Sequence, residues 1–587
     1  MPKRSTVVSR IAAAALAIIA AVCASVAVAQ APAADALKQI IAEGSEAYLN
    51  WSTALIDRER IATLYEANGY RLLWSDGAQP TKAAIDLIHE LQQAGDRGLD
   101  PEDYPGERLA SLLTDLRDTP RSEVEQWALF DASLSLAGLR LVSDLHDGRI
   151  EPASVGYHLT VERIKLDIPA TLAYLAGAAS VAAALDALEP QFRHYALLKR
   201  ELMHYRALAS DAGINDLPAL PAKSLKPGNA YAGAAQLERL LSALGDLPAG
   251  APAAGAPAAG HPEPLAPATA PAQTLTPPLV DALKHFQSRH GEKADGVLGA
   301  ATFAELTRPL DARVQQIVLT MERFRWLPAK LASAPIIVNI PEFRLFAFES
   351  TSDTEAQIHQ MDVIVGKAFE ATETPVFTAD MTYLIFRPYW EVPYSIALKE
   401  IVPGARAHPT YLDKHQMEIV RGSGEAATVM ANTKENVALV AKGVLRVRQK
   451  PGPNNSLGLV KFMFPNPYNV YLHSTPAQAL FKESRRDFSH GCIRVSDPVG
   501  LAEYVLRDSP EWTREKILAA MNGTETLTVT LKNRIRVFVV YGTALATEDG
   551  NILFFDDIYG HDQRLEAALN SRRPRPAAAA EAGDPES

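Results

Sequence analysis

One thiol stands among residues that could make it reactive. The segment Ser489-His490-Gly491-Cys492-Ile493-Arg494 places an imidazole two residues before the thiol and a guanidinium two residues after it. A second imidazole, that of His473, lies seventeen residues before His490. A cysteine nucleophile needs a nearby base, and an adjacent imidazolium can lower a thiol pKa from about 8.5 to about 3.5–7.5. These residue types predict nucleophilic catalysis at Cys492, and their spacing leaves His473 and His490 as alternative bases.

Two other interpretations fit the same residues. A lone cysteine is often a small, inert core residue, although Gly, His and Arg neighbours argue against that here. His473, His490 and Cys492, with Asp487 nearby, could instead ligate zinc. The sequence lacks the paired short spacings that are typical of zinc sites. We therefore expect neither a metal nor another cofactor.

Composition limits the class of protein. The chain has 587 residues, of which 47% are apolar and 22% charged, so several globular domains are expected. A formal net charge of −11 without basic clusters argues against nucleic acid as the partner. The only other cysteine is Cys23, and two cysteines cannot form a disulfide framework or a four-thiolate zinc site.

Residues 1–29 have the pattern of a secretory signal peptide. Lys3 and Arg4 precede a long uncharged apolar run, which ends in the small-residue cleavage site Ala27-Val28-Ala29. Export would remove Cys23 and leave Cys492 as the single thiol. An uncleaved membrane anchor is the main alternative. A lipoprotein with Cys23 lipidated is a weaker one, because Val22 stands where a small residue is usual.

Hydrophobic periodicity predicts a multidomain α+β protein. Residues 30–225 have the three- and four-residue spacing of helices and are expected to form a helical domain. Residues 226–310 predict a further helical module, interrupted by an Ala/Pro-rich insertion at 248–278. Residues 320–568 are expected to form an antiparallel β domain, and 396–443 an inserted, more helical lid. Residues 569–587 are expected to be a disordered tail.

The β domain is predicted from alternating apolar residues. Residues 336–340 and 343–348 indicate a hairpin around Pro341-Glu342. Further strand-like runs occur at 361–365, 383–386, 437–441, 469–472, 527–531 and 536–541.

The helical module carries a motif of its own. Phe286-Gln287, then Asp295-Gly296-Val297-Leu298-Gly299, then Thr302, resemble the small three-helix peptidoglycan-binding module. The resemblance implies that the Ala/Pro-rich insertion follows the first helix of that module. An ordinary helical hairpin is the alternative.

The residues around Cys492 resemble the active site of L,D-transpeptidases with a YkuD-type catalytic domain. The match includes His473 with Thr475 and extends over about residues 320–560. Further segments that resemble the family are Glu322-Arg323-Phe324-Arg325-Trp326-Leu327-Pro328, Val365-Gly366-Lys367, Thr374-Pro375-Val376-Phe377, the segment 448–458 and Lys461-Phe462-Met463-Phe464-Pro465-Asn466. Together with the helical scaffold domain, the chain resembles the large YcbB-like subgroup of Gram-negative bacteria, which implies the periplasm.

The resemblance implies a role for each motif residue. Cys492 matches the nucleophile and His473 the general base, while the Ser489 carbonyl would orient that histidine. Gly491 and Cys492 would offer backbone N–H groups to the oxyanion. One departure is Ser474, where many members have glycine. Residues expected to support the site or bind substrate are Arg494, His490, Tyr471 and Trp390, with core packing as the alternative for the last two.

The resemblance also implies the reaction. Cys492 would attack a peptidoglycan tetrapeptide stem, and an acceptor stem would resolve the thioester into a 3→3 cross-link. L,D-carboxypeptidase or exchange activity and attachment of a protein to the wall would use the same site. A non-catalytic wall-binding scaffold is the alternative from another class. Other cell-wall synthesis proteins are conceivable partners.

Overall fold

The structure is a computed structural model that describes residues 32–43, 55–119, 123–161, 165–247, 274–328, 331–352, 357–368 and 372–572. The predicted signal peptide with Cys23 lies outside these ranges, as do 248–273 of the Ala/Pro-rich insertion and 573–587 of the tail. None of the described helices is long and apolar enough to cross a membrane. The buried apolar side chains of the described residues form four hydrophobic cores.

The first core is built from helices. Their apolar residues recur on one face, as do the buried Leu87, Ile88 and Leu91. Polar side chains begin several of them, and Thr81, for example, accepts a hydrogen bond from the N–H of Ala84 at 3.1 Å. The helices are α1 (residues 32–43), α2 (Leu55–Ala67), α3 (Lys82–Gln92), α4 (Gly106–Asp118), α5 (Val124–Asp147), α6 (Ile168–Ala176) and α7 (Val181–Asp186), with strand β1 (Tyr157–His158) after α5.

A second core follows along the chain. Its elements are α8 (Arg193–Ala209), β2 (Ser224–Leu225), α9 (Ala234–Ala243), α10 (Pro277–Arg289), β3 (Leu298–Gly299), α11 (Ala300–Leu306) and α12 (Leu310–Arg325). Residues 544–554, from near the other end of the chain, also pack into it. Helix α8 therefore shares its core with the helices after it, although the sequence grouped it with the helices before it.

Gln287 ties together the motif that resembles a peptidoglycan-binding module. Its buried amide donates to the Val297 carbonyl at 3.1 Å and to the Thr302 hydroxyl at 3.2 Å. Its carbonyl accepts the N–H of Gly296 at 2.8 Å. Gly296 has a φ of +69°, a conformation that glycine adopts without strain. The motif residues thus hold the turn between α10 and α11, and the binding role stays a prediction.

Residues 331–572 contain most of the strands. They are β4 (Ile336–Asn339), β5 (Arg344–Ala347), β6 (His359–Gly366), β7 (Val376–Phe386), β8 (Trp390–Glu391), β9 (Met417–Arg421), β10 (Thr428–Met430), β11 (Arg446–Gln449), β12 (Val460–Met463), β13 (Leu472–His473), β14 (Asp487–Ser489), β15 (Ile493–Val495), β16 (Leu527–Val540), β17 (Ala544–Ala546) and β18 (Ile552–Phe554). The helices are α13 (Tyr394–Ile396), α14 (Val402–Ala407), α15 (Tyr411–Lys414), α16 (Lys434–Ala441), α17 (Pro498–Val505), α18 (Arg514–Asn522) and α19 (His561–Arg572).

The main sheet closes on itself. Its strand order is β7-β12-β13-β15-β6-β5-β4-β16, and β16 also pairs with β7, while β1 and β14 pair at its sides. The prediction of an antiparallel sheet was wrong in part, because β13–β15, β4–β16, β6–β14 and β1–β7 are parallel pairs. The two runs predicted at 527–531 and 536–541 are one strand, β16, whose register shifts between Thr530 and Ile535.

Residues 390–449 form a small unit with its own core beside this sheet. It contains the four-stranded sheet β10-β9-β11-β8, the helices α13 to α16, and a π-helical turn, Ala397–Ile401. The strand predicted at 437–441 is wrong, since these residues lie in α16. Thr433 caps that helix, and Val437 and Val440 are buried at helical spacing. A short apolar run fits either period. We call 390–449 the lid segment; its function as a lid stays a prediction.

The charged end of α12 joins the cores. The buried Glu322 carboxylate accepts hydrogen bonds from the N–H groups of Arg149 and Ile150 and from the Arg325 guanidinium. Arg323 is paired with Asp562 of α19 at 2.6 Å. This segment was recognised by sequence as part of the family resemblance, and its buried charges connect the helical region, the sheet and the last helix.

Candidate active site

The register of three neighbouring strands places three basic side chains in one row. Lys461 of β12 lies opposite His473 of β13, and His473 lies opposite Arg494 of β15. Directly opposite residues of paired strands project from the same face of a sheet. Their neighbours Phe462, Leu472 and Ile493 are fully buried on the other face, in the core of the sheet. The alternation therefore presents the basic row on the face that is not filled by apolar side chains.

Tyr471 and Cys492 directly precede β13 and β15, so each stands two residues before a member of the row. The charges of Lys461 and Arg494 act on both Cys492 and His473, which places the thiol near the row. The N–H of Ile493 donates to the Tyr471 carbonyl at 3.1 Å, which holds the two segments side by side. The Cys492 Sγ is partly exposed and contacts the Asn469 carbonyl at 3.7 Å. The thiol thus lies near the row that contains His473.

The surroundings of the thiol act on its charge in opposite directions. Burial raises the pKa of the Cys492 thiol, whereas a hydrogen bond from Tyr471 and the positive charges of Lys461 and Arg494 lower it. Burial also raises the pKa of the Tyr471 hydroxyl, which therefore remains a donor. The resting sulfur is a neutral thiol, in an environment that stabilises negative charge once its proton leaves.

His473 is buried and neutral. Burial, together with the positive charges of Arg494 and Lys461, lowers the pKa of His473 to about 3. Its Nδ1–H donates to the Ser474 carbonyl at 2.5 Å, which leaves Nε2 as the basic nitrogen. Gly458, with a φ of +61°, leaves the space that the Ser474 side chain occupies. The residue that departs from the family pattern therefore orients the histidine through its backbone.

Ser489 has a different set of contacts from the one that the resemblance implied. Its carbonyl accepts the N–H of Lys367 at 3.0 Å rather than the Nδ1–H of His473. Its hydroxyl donates to the Cys492 carbonyl at 2.5 Å and accepts the N–H of Gly491 at 3.1 Å. Ser489 thus closes the turn that carries the thiol, and the Gly491 N–H is used inside that turn.

The turn is also fixed from outside. Gly491 has a φ of +106°, which favours glycine. Its carbonyl accepts the Thr374 hydroxyl at 2.9 Å, and the oxygen of that hydroxyl accepts the N–H of Gly366 at 2.9 Å. The Tyr559 hydroxyl donates to the Gly366 carbonyl at 2.5 Å. These contacts join the turn to β6 and to the segment before α19.

Two predicted site residues contact the lid segment. Nε2 of His490 lies 3.0 Å from Oε1 of Glu400, in the π-helical turn. His490 is therefore joined to the lid segment, whereas the ring of His473 is held by the Ser474 carbonyl. Trp390 lies in β8, is half-buried, and packs against the lid core.

Sequence reasoning assigned no role to Lys461 and Glu400. Lys461 was noted only within a family-like segment, and its position beside His473 depends on strand register, which the spacing does not give. Glu400 lies about ninety residues before its partner His490, in a segment with no motif. In the part of the chain that is described, no group of three or more His, Cys, Asp or Glu side chains is arranged to hold a metal ion.

Two regions of the chain match known protein families. Residues 334–526 match the L,D-transpeptidase catalytic domain family YkuD, and residues 59–202 match the Scaffold domain family. A Haemophilus influenzae protein named "Putative L,D-transpeptidase" is 29% identical over 254 residues, which is 43% of this chain and 49% of the relative. The aligned part thus spans about half the length of that relative. The chain carries a YkuD-type L,D-transpeptidase catalytic domain behind a Scaffold domain.

Proposed function

We propose that the protein is a peptidoglycan L,D-transpeptidase that forms 3→3 cross-links through a Cys492 acyl-enzyme. The observation that carries the proposal is that His473 of β13 pairs with β15, the strand that Cys492 directly precedes, inside the domain that matches the L,D-transpeptidase family. A thiol beside a neutral, oriented imidazole is the pair that cysteine acyl transfer requires. The substrate class follows from the family of the domain.

The reaction proceeds in two acyl transfers. Sγ of Cys492 attacks the carbonyl of the third stem residue, meso-diaminopimelate, while Nε2 of His473 accepts the thiol proton. The C–N bond to the terminal D-Ala breaks, the proton passes from His473 to the leaving amine, and a thioester remains. The amine of the acceptor stem then attacks the thioester and yields its proton to His473. The new amide is the cross-link, and the thiol is restored.

The electrostatics of the site favour proton transfer during the attack. Because the pKa of His473 is lowered to about 3 and that of Cys492 is raised, the resting pair is uncharged. The negative charge that develops on sulfur is stabilised by the Tyr471 hydroxyl and by Lys461 and Arg494. For the oxyanion, Cys492 supplies a backbone N–H, since that of Gly491 is bonded to Ser489.

Three further residues have proposed roles around the stem. Tyr471 lines the donor site, because its hydroxyl bonds the nucleophile. His490 connects the donor site to the lid segment through Glu400. Trp390 borders the groove from the lid side. Trp390→Ala should therefore raise KM without disrupting the fold, and unchanged kinetics would show that Trp390 only packs the lid core. Since peptidoglycan lies outside the cytoplasm, we also propose a periplasmic location, with or without an N-terminal anchor.

The decisive experiment uses purified disaccharide-tetrapeptide with the wild type and with Cys492→Ala. A cross-linked dimer from the wild type alone supports transpeptidation. A tripeptide product indicates that water is the acceptor, as in an L,D-carboxypeptidase, and transfer to an added protein amine indicates attachment to the wall. No product from either protein, when the wild-type thiol still reacts with a small alkylating agent, points to a non-catalytic scaffold.

A second measurement tests the nucleophile directly. A carbapenem acylates a reactive site cysteine, so intact-mass and peptide analysis should find one adduct at Cys492. The matched variant Cys492→Ala should carry none. An adduct at another residue would contradict the assignment.

A further inference from the structure

Two cations of the active face have no carboxylate within salt-bridge distance among the described residues. Neither Lys461 nor Arg494 forms a salt bridge within 4 Å in the described part of the chain. The Lys461 Nζ lies 3.7 Å from the centre of the Tyr471 ring. Nε of Arg494 is buried without a hydrogen-bond partner among the described residues. Glu391 is the single described carboxylate that acts on Lys461, and it acts from beyond salt-bridge distance.

Most buried cations elsewhere in the molecule are paired. Arg289, for example, is bonded to both oxygens of Asp246 at 2.6 and 2.7 Å. Lys461 and Arg494 are half-buried, and a charge withdrawn from water without a close counter-charge is costly, so proteins rarely retain one without a use. Burial lowers the pKa of Lys461 and of Arg494, which shows that the folded chain does not compensate their charges fully. No described carboxylate lies within 4 Å of either side chain, so an anion brought by the substrate could be their close counter-charge.

We propose that Lys461 and Arg494 form a carboxylate subsite, which receives the free carboxylate of the residue that leaves the donor stem. This inference rests on the proposed function, because it takes the leaving group from that reaction. Lys461 acts as a point charge, and Arg494 presents planar N–H donors that match a carboxylate.

The position of the subsite fits the donor. Arg494 lies two residues after Cys492, Lys461 lies across β13 from Arg494, and the charges of both lower the pKa of the thiol, so both lie on the side of the sheet where the donor carbonyl would meet Sγ. Consecutive Cα atoms are about 3.8 Å apart, so the carboxylate of the leaving residue lies within about 5 Å of that carbonyl. A stem with one more residue would carry its carboxylate farther away. The subsite therefore selects donors in which a single residue with a free carboxylate follows the scissile bond.

The first test compares two alkylating agents at Cys492. Iodoacetate carries a carboxylate next to its reacting carbon, whereas iodoacetamide is its neutral counterpart. We measure both rate constants on the full chain by peptide mapping of Cys492 and take their ratio. The ratio should fall about fivefold or more in Lys461→Met and stay within about twofold of wild type in Lys461→Arg, which keeps the charge. A change in thiol pKa slows both reagents and cancels in the ratio.

Control measurements keep the test decisive. Lys482→Met removes an exposed charge outside the row and should leave the ratio unchanged. On the wild type, which needs no variant, added salt should reduce the preference for iodoacetate. A ratio that depends on neither Lys461 nor salt overturns the subsite. An equal fall in Lys482→Met also overturns it, because the effect would then come from net charge.

The second test uses the donor itself. A tetrapeptide with a C-terminal amide should acylate the wild type more slowly than the free acid, and Lys461→Met should lose that preference through KM. If the alkylation ratio depends on Lys461 but no acyl transfer occurs, the subsite stands and the proposed function fails. If acyl transfer occurs without any preference for the free acid, the subsite fails and the proposed function stands.

Discussion

The α12 junction buries its charges and the active face of the sheet half-buries two cations, and the two regions compensate these charges differently. At the junction, Glu322 accepts hydrogen bonds from two backbone N–H groups and from Arg325, and Arg323 is paired with Asp562. On the active face, Lys461 and Arg494 flank a neutral imidazole without a carboxylate partner among the described residues. Both regions lie in segments that the sequence identified as family-like.

The difference separates stability from function. Paired charges hold elements together, and removing one partner leaves the other buried and unpaired. Charges that the folded chain leaves uncompensated raise the energy of the resting state, but they stabilise an anion that arrives or forms during the reaction. We therefore expect changes at the junction to affect unfolding and changes on the active face to affect turnover. The following predictions test that separation.

The largest effect is expected on turnover at the active face. His473→Gln keeps a polar side chain but removes the base, so kcat should fall by about 10³-fold, within the range of general-base effects. The unfolding free energy should change little by comparison. Single-turnover acylation with the tetrapeptide measures the first quantity, and chemical denaturation the second. If the variant is less stable but each folded molecule still turns over at the wild-type rate, His473 has a structural role like that of the charges at the junction.

The matching effect at the junction is expected on stability. Glu322→Ala removes the carboxylate that pairs with Arg325 and one of the two that pair with Arg149, which keeps Asp103, so unfolding should become easier by about 3–5 kcal/mol. The acylation rate per folded molecule should match that of the wild type. Glu503→Ala serves as the control, because Glu503 belongs to an exposed pair with Arg514. A junction variant that is as stable as the wild type but fails to form the acyl-enzyme would contradict a purely structural role of the junction charges.

Both regions also contain a buried neutral histidine, and this predicts a shared dependence on pH. Burial lowers the pKa of His473 and of His561 to about 3. As pH falls through about 6.5, the unfolded chain binds protons that the folded chain does not, so stability decreases until about pH 3. Each histidine should contribute about 1.4 kcal/mol per pH unit within that window.

The measurement is the slope of unfolding free energy against pH between 6.5 and 5. Asp131, whose pKa burial raises to about 6, also titrates in this interval, but its contribution is common to the wild type and to both histidine variants. His473→Gln and His561→Gln should each reduce the slope by the contribution of one histidine, which is at most about 1.4 kcal/mol per pH unit. In contrast, kcat/KM should stay flat over the same interval, since His473 remains neutral. An acid limb of kcat/KM near pH 6.5 would contradict the neutral base.

The helical first half and the β-rich second half were predictable from periodicity, but strand direction was not. Alternating apolar residues located β4, β5 and β6, because half-buried strands repeat every two residues. The parallel pairs of the sheet depend on long-range contacts that no local pattern records. Residues 437–441 show the limit for short runs, since two valines three residues apart suit a helix as well as a strand.

The sequence could suggest a candidate nucleophile and base, but it could not predict the contacts that surround them. Composition and spacing identified Cys492, and the resemblance selected His473 from two histidines. The carbonyl that orients His473 belongs to Ser474 rather than to Ser489, because the chain turns back immediately after β13. Lys461 and Glu400 could not be found, since their partners come from other strands and from the lid segment.

The smallest effect is expected at the contact between the lid segment and the site. Glu400 and His490 are both substantially exposed, and such a pair contributes about 0.2–1 kcal/mol. Glu400→Gln should therefore leave the unfolding free energy nearly unchanged and increase hydrogen exchange of residues 394–407 by less than about fivefold. Glu503→Gln, which alters an exposed pair outside the lid segment, should not affect that exchange. A much larger increase in exchange would mean that this single pair holds the lid segment in place. An exposed ion pair would then have a structural role as large as that of the buried pairs at the α12 junction.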